Sequence, residues 1–115
     1  MAWELSDDRP IYLQLMEHIQ GDILSGVYPL GGKLPSVRDL AACASVNPNT
    51  MQKALSELER SGLLYSQRTS GRFVTEDEQL IQSLQASIAE KEIAEFLKKM
   101  ERYGLEKEDI IKLIR

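Results

Sequence analysis

Asn47, Asn49, Thr50, Gln52 and Lys53 fall within seven consecutive positions, and all five carry hydrogen-bonding side chains. An amide both donates and accepts, which is what the edge of a nucleobase asks of a partner. A lysine adds a charge for phosphate. Arg38 lies upstream of this group, and Arg68, Thr69, Ser70, Gly71 and Arg72 follow it. Arginine's planar fork binds phosphate or guanine through two bonds at once, and glycine lets a backbone approach closely. The chemistry these residues can do together is recognition of a double-stranded nucleic acid. Plainer roles exist for several of them. Asn47 and Thr50 are also common helix starters, with Asn47 as a cap alone an equal reading. Ser36 is explained by capping even without a phosphate contact. Arg38 can sit in a surface ion pair, and residues 68–72 can form a solvated turn.

The elements needed to hold these groups follow from the pattern around them. Pro10 suits a first helical turn, and Ile11, Leu15, Ile19, Ile23 and Leu24 recur at helical spacing toward a stop near Gly26. Tyr28-Pro29-Leu30-Gly31-Gly32 reads as a loop. Ser36-Val37-Arg38-Asp39 has the form of a capping box that opens a second helix ending near Cys43 or Ala44. Asn47-Pro48 restarts the chain as a third helix, with Met51, Ala54, Leu55 and Leu58 inward and a stop at Ser61-Gly62. Residues 63–67 and 72–75 are strand-like and flank a turn at 68–71. Such a hairpin is marginal alone, so Leu63 and Phe73 are expected to pack on helices. This is the layout of a winged helix-turn-helix, which seats its third helix in a major groove and its hairpin on the adjacent backbone.

Residues 1–75 are therefore expected to form one winged unit and residues 76–115 a two-helix tail. The fold class is mainly α with a small β-hairpin. Residues 1–9 read as extended, with Trp3 and Leu5 covering a core edge, His18 solvent-facing and Cys43 buried. In the tail, Leu80, Ile81, Leu84 and Ile88 make one apolar stripe, and Ile93, Phe96, Leu97 and Met100 make a second. These eight residues are the expected dimer interface. A short last helix would turn Ile110, Ile111 and Ile114 inward.

Charge distribution fits this division. The whole chain carries −4 at pH 7. Residues 33–75 alone hold six basic against three acidic side chains, for +3, whereas both flanks are acidic. A local patch, not the total, attracts phosphate. One cysteine forbids an internal disulfide, and a lone His18 with Cys43 cannot build a zinc site. No cofactor or metal is called for. There is no Ser-His-Asp set, glycine-rich phosphate loop or paired catalytic carboxylates, so no enzyme is expected. With no apolar run long enough to span a bilayer and no signal-peptide order at the N-terminus, a cytoplasmic protein without membrane contact is expected.

The blocks PIYLQL, GGKLPSVRDLA, VNPNTMQKAL and LERSGLLYSQRTSGRFV, in this order and spacing, resemble the winged-helix domain of the GntR family of bacterial transcription regulators. The asparagine-rich VNPNT and the short helical tail resemble its YtrA subfamily, whose members dimerise through a brief C-terminal helical region. The resemblance covers residues 10–75 and implies a DNA contact at Arg38. Two positions depart from the pattern. Ser45 stands where glycine is common in the turn, and Ser70-Gly71-Arg72 replaces a Gly-x-Gly wing tip. The function implied is a sequence-specific DNA-binding regulator, a repressor, acting as a homodimer on a pseudo-palindromic operator. A small-molecule effector would have to bind beside the tail or at the subunit contact. The rival reading is a winged helix used for protein contact without DNA; Asn49, Lys53, Arg68 and Arg72 argue against it.

Overall fold

A computed structural model describes residues 3–114; Met1, Ala2 and Arg115, at the outer ends of the two expected regions, lie outside the described residues. The elements run α1 (Ile11–Leu24), α2 (Val37–Ala44), α3 (Pro48–Arg60), β1 (Leu64–Gln67), β2 (Gly71–Val74), α4 (Glu78–Glu101) and α5 (Lys107–Ile114). Each matches an element expected from the sequence. Among the described residues no helix is long and apolar enough to cross a membrane.

Two compact units part between Ile81 and Gln82. The first holds α1–α3 and the hairpin. Its core is built from Leu15, Ile19 and Ile23 of α1, Leu40, Ala41 and Ala44 of α2, and Met51, Ala54, Leu55 and Leu58 of α3. Both α1 and α2 pack on α3. The first turn of α4 belongs with this unit, six residues past the expected boundary. Asp77 Oδ1 caps it by accepting from the N–H groups of Gln79 and Leu80 at 3.1 and 3.2 Å. The half-buried Leu80 lies beside Gly62.

The hairpin is antiparallel, pairing Leu64 with Val74, Tyr65 with Phe73, Ser66 with Arg72 and Gln67 with Gly71. It is not alone. Leu34 N–H donates to the Arg72 carbonyl at 2.9 Å, Val74 N–H to Gly32 at 2.8 Å, and Lys33 bridges Phe73. The breaker-rich loop before α2 thus lies along the free edge of β2 and bonds it through an isolated bridge, which supports the two-stranded hairpin. Leu63 is buried as expected. Phe73 is only half-buried and stacks across the strands on Tyr65, with ring centroids 5.7 Å apart.

Residues 3–9 form no strand. They strap the outer face of α1. Trp3 stacks on His18 at 3.7 Å, Gln14 exchanges bonds with the Ser6 backbone, and Arg9 pairs with Glu17. His18 is exposed, as expected, but is covered on one ring face. Cys43 is exposed, against expectation. The inward stripe of α2 is Leu40, Ala41 and Ala44, and Cys43 sits on its flank.

The second unit is built differently. No residue of α4 is buried. Ile88, Ile93 and Phe96 are exposed. Gly104, at φ 77°, closes the turn after α4, and Asp109 Oδ2 accepts from the Glu106 N–H to start α5. Only Ile110 of α5 is buried. Ile111 and Ile114 are 56% and 72% exposed, correcting the inward placement expected for them. Neighbours on a helix stand about 100° apart, so Ile111 turns away from Ile110, and Ile114 is the helix's last described residue.

Candidate nucleic-acid interface

The turn between α2 and α3 fixes how α3 is presented. Helix α2 ends in a Schellman arrangement: Val46 N–H reaches the Ala41 carbonyl at 3.0 Å, and Ser45 N–H reaches Ala42 at 3.2 Å. Ser45 occupies the left-handed position of this motif, at φ 59° and ψ 48°. A residue with a Cβ pays a small strain there. Asn47 then caps α3, its Oδ1 accepting from the Asn49 N–H at 2.7 Å, and Pro48 takes the first helical position. The capping role of Asn47 is therefore real, and the residue stays exposed.

Beyond the cap, helical periodicity sorts the side chains. Met51, Ala54, Leu55 and Leu58 face the core, so Asn49, Gln52 and Lys53 emerge on the opposite face, and all three are exposed. Thr50 is half-buried between the two faces. Gln52 Nε2 donates to Ser56 Oγ at 3.3 Å. Lys53 extends toward α1, with its Nζ 3.9 Å from the centre of the Tyr12 ring.

Ser36 caps α2, its Oγ accepting from the Asp39 N–H at 3.1 Å. Arg38 is exposed one residue into that helix. A groove of about 650 Å³ separates the start of α2 from the hairpin; Lys33, Ser36, Arg68, Ser70, Gly71 and Arg72 are among its walls. Lys33 and Arg68, with the hydroxyls of Ser36, Ser66 and Ser70, suit a phosphate backbone; Asp39 also lines the groove, and Arg72 is held by Glu59. Lys33 was not singled out from the sequence. Its stem runs so close to the hairpin tip that a Cβ on Gly71 would stand 3.3 Å from its Cε. Its place three residues before Ser36 was the available signal.

The hairpin tip is the three-residue turn 68–70, closed by the Ser70 N–H on the Gln67 carbonyl at 3.1 Å. Gly71 re-enters the sheet at φ 107°, a conformation that favours glycine. Arg68, Thr69 and Ser70 are exposed. Arg72 stands apart from them. Alternation along β2 puts it on the same face as the buried Val74, and its Nε bonds Glu59 Oε1 of α3 at 3.0 Å. Only 17% of its side chain is exposed. The two arginines of the tip thus differ: Arg68 is open to solvent, and Arg72 fastens the hairpin to α3.

Similar proteins share this fold. The model of the family "Bacterial regulatory proteins, gntR family" matches residues 11–74. A solved GntR family transcriptional regulator from Listeria monocytogenes superposes with a TM-score of 0.88 at 39% identity, covering 96% of each chain. The HTH-type transcriptional repressor YtrA of Bacillus subtilis is 43% identical over 68 residues, which are 59% of this chain and 52% of that protein. The AraR DNA-binding domain, solved in complex with operator ORX1, gives a TM-score of 0.57 at 33% identity over 65% of this chain and 92% of that one. The fold agrees with these findings: the chain belongs to the GntR family of bacterial regulatory proteins and is a DNA-binding transcription regulator.

Proposed function

We propose that the protein is a repressor that binds a pseudo-palindromic operator as a homodimer. Each protomer inserts the first turns of α3 into a major groove, where Asn49 and Gln52 meet base edges. Asn47, Thr50 and Lys53 flank them. Arg38 and Ser36 hold the backbone from α2, and residues 68–71 hold it from the hairpin. The observation that carries the reading is the split of α3 into a buried apolar face and an exposed face of amides and lysine. Names of similar proteins support both halves: one is a repressor, and another is solved on its operator.

Dimerisation is supported by the tail. Exposed Ile88, Ile93 and Phe96, with half-buried Leu84, Leu97 and Met100, lie along one long helix that buries none of its residues. A second copy would cover them. Linking two winged units makes the second half-site contact intramolecular, which raises affinity by about 10²–10⁴ without any new contact. Half-sites about 10 bp apart, or a multiple of that, follow from the twofold symmetry. The proposal needs no small-molecule effector.

The test is selection of preferred duplexes from a random pool, followed by binding of the Asn49→Ala and Arg38→Ala variants. Asn49→Ala is expected to lose about 1–3 kcal/mol of discrimination at one base pair in each half-site. Arg38→Ala is expected to weaken all sequences alike and to lower the salt slope by about one per half-site. A wild-type protein that enriches no sequence sinks the proposal.

A further inference from the structure

We propose that Tyr12 is a positioning residue for DNA binding, its ring serving as a platform that holds the Lys53 ammonium ready for a backbone phosphate. The proposal rests on the reading of α3 as the DNA-facing helix. Tyr12 lies in the first turn of α1, three residues before the buried Leu15, where α1 packs on α3. It is half-buried, while Lys53 is exposed. The ammonium sits 3.9 Å from the ring centre, well inside the ~6 Å over which an aromatic face attracts a cation. Ala54, the buried neighbour of Lys53, is small enough to let the two helices approach.

What holds a cation decides what it can still do. A carboxylate partner would fix Lys53 but neutralise its charge. An aromatic face fixes it and leaves the charge whole. Among the described residues no acid pairs with Lys53. Lysine's long stem loses rotamer freedom when it docks, and a platform removes part of that loss before DNA arrives. The ring also draws Lys53 toward α1, to the flank of the reading face. Its target is therefore phosphate, and its contribution is independent of base sequence.

The experiment measures binding to the selected operator and to a scrambled duplex across a salt series. The proteins are wild type, Tyr12→Leu, Tyr12→Phe, Lys53→Gln, the Tyr12→Leu/Lys53→Gln double variant and Asn49→Ala. Tyr12→Leu is expected to weaken both duplexes about two- to fivefold. Tyr12→Phe, which keeps the ring face, is expected to bind as wild type. The double variant is expected to bind no worse than Lys53→Gln, which lowers the salt slope by about one per half-site. In wild-type protein the side-chain protons of Lys53 are expected to show upfield ring-current shifts by NMR. That readout needs no variant to fold. Absence of those shifts, a Phe variant as weak as Leu, or a Tyr12→Leu loss that persists in full beside Lys53→Gln overturns the platform. A silent Lys53→Gln with a damaging Asn49→Ala overturns it alone. If both are silent, the reading of α3 fails, and the platform falls with it.

Discussion

The two units of this chain use the same apolar residue types to opposite ends. In the winged unit, leucine, isoleucine and methionine stand at core positions such as Leu15, Ile19, Met51 and Leu55, each at most 1% exposed. In the tail, Ile93, Phe96, Ile111 and Ile114 are 45–72% exposed, and Ile110 is the one buried residue of its helices. Both regions show helical periodicity in the sequence. Periodicity reports that a face wants covering; it does not report what covers it. The first unit closes on itself because three helices and a sheet surround one centre. Two helices cannot, and the apolar faces they leave open are where we propose that a second copy binds.

Changing the tail should therefore leave the winged fold intact and remove the partner. The Ile93→Glu/Phe96→Glu double variant is expected to sediment as a monomer where wild type is a dimer. Its operator affinity is expected to fall at least 100-fold, because the second half-site is no longer intramolecular. A monomeric wild type would break the comparison at its root. The complementary change is Leu55→Ala. It leaves a cavity at the centre of the winged unit and is expected to cost about 2–5 kcal/mol by urea unfolding at fixed protein concentration. Ile93→Ala, at an exposed position, is expected to leave the stability of that unit nearly unchanged.

The same contrast explains what was legible in the sequence. Breakers and caps written in single residues were readable: Ser36, Asn47-Pro48 and Gly62 all act where their types imply. The exposed amides of α3 were readable because the helical period leaves them one outward face. What was hidden depends on contacts between distant segments. Gly31-Gly32 reads as the end of a loop, since glycines carry no alternation, yet these residues and the two that follow bond to β2. Tyr12 reads as the start of an amphipathic helix, and nothing local says that Lys53 will lie over its ring. Cys43 lay too close to the α2 stripe for type alone to place it. The Arg72–Glu59 pair had a signal, the parity of Arg72 with Val74 on one strand.

Arg72 offers a sharper test within the winged unit. As a fastener it should act through Glu59, so Arg72→Gln and Glu59→Gln are each expected to cost about 1 kcal/mol of stability, with the double variant no worse than either. As a phosphate ligand it would act without Glu59. Arg72→Gln would then lower the salt slope of DNA binding by about one per half-site, and Glu59→Gln would not weaken binding. A stability cycle and a salt titration on the same four proteins decide between the two roles.

The smallest effect comes from comparing two helix ends built alike. Helix α3 ends with Gly62 at φ 92°, its N–H on Glu59 and the Leu63 N–H on Leu58, at 3.1 and 3.2 Å. Helix α2 ends in the same pattern with Ser45 in the left-handed place. Gly62 is where a side chain would add strain, and Ser45 is where one already does. The Ser45 side chain is exposed and its hydroxyl caps nothing among the described residues, so removing it forfeits no contact. Ser45→Gly relieves left-handed strain of about 1–2 kcal/mol and adds freedom to the unfolded chain that costs less, about 0.4–1 kcal/mol. The net expected is a gain of about 0.5–1 kcal/mol. For a unit of this size that raises the melting temperature by roughly 2–8 °C. A loss instead would show that Ser45 is held by something other than backbone geometry. Unchanged operator affinity is also expected, because glycine accepts the same dihedrals and leaves α3 aimed as before.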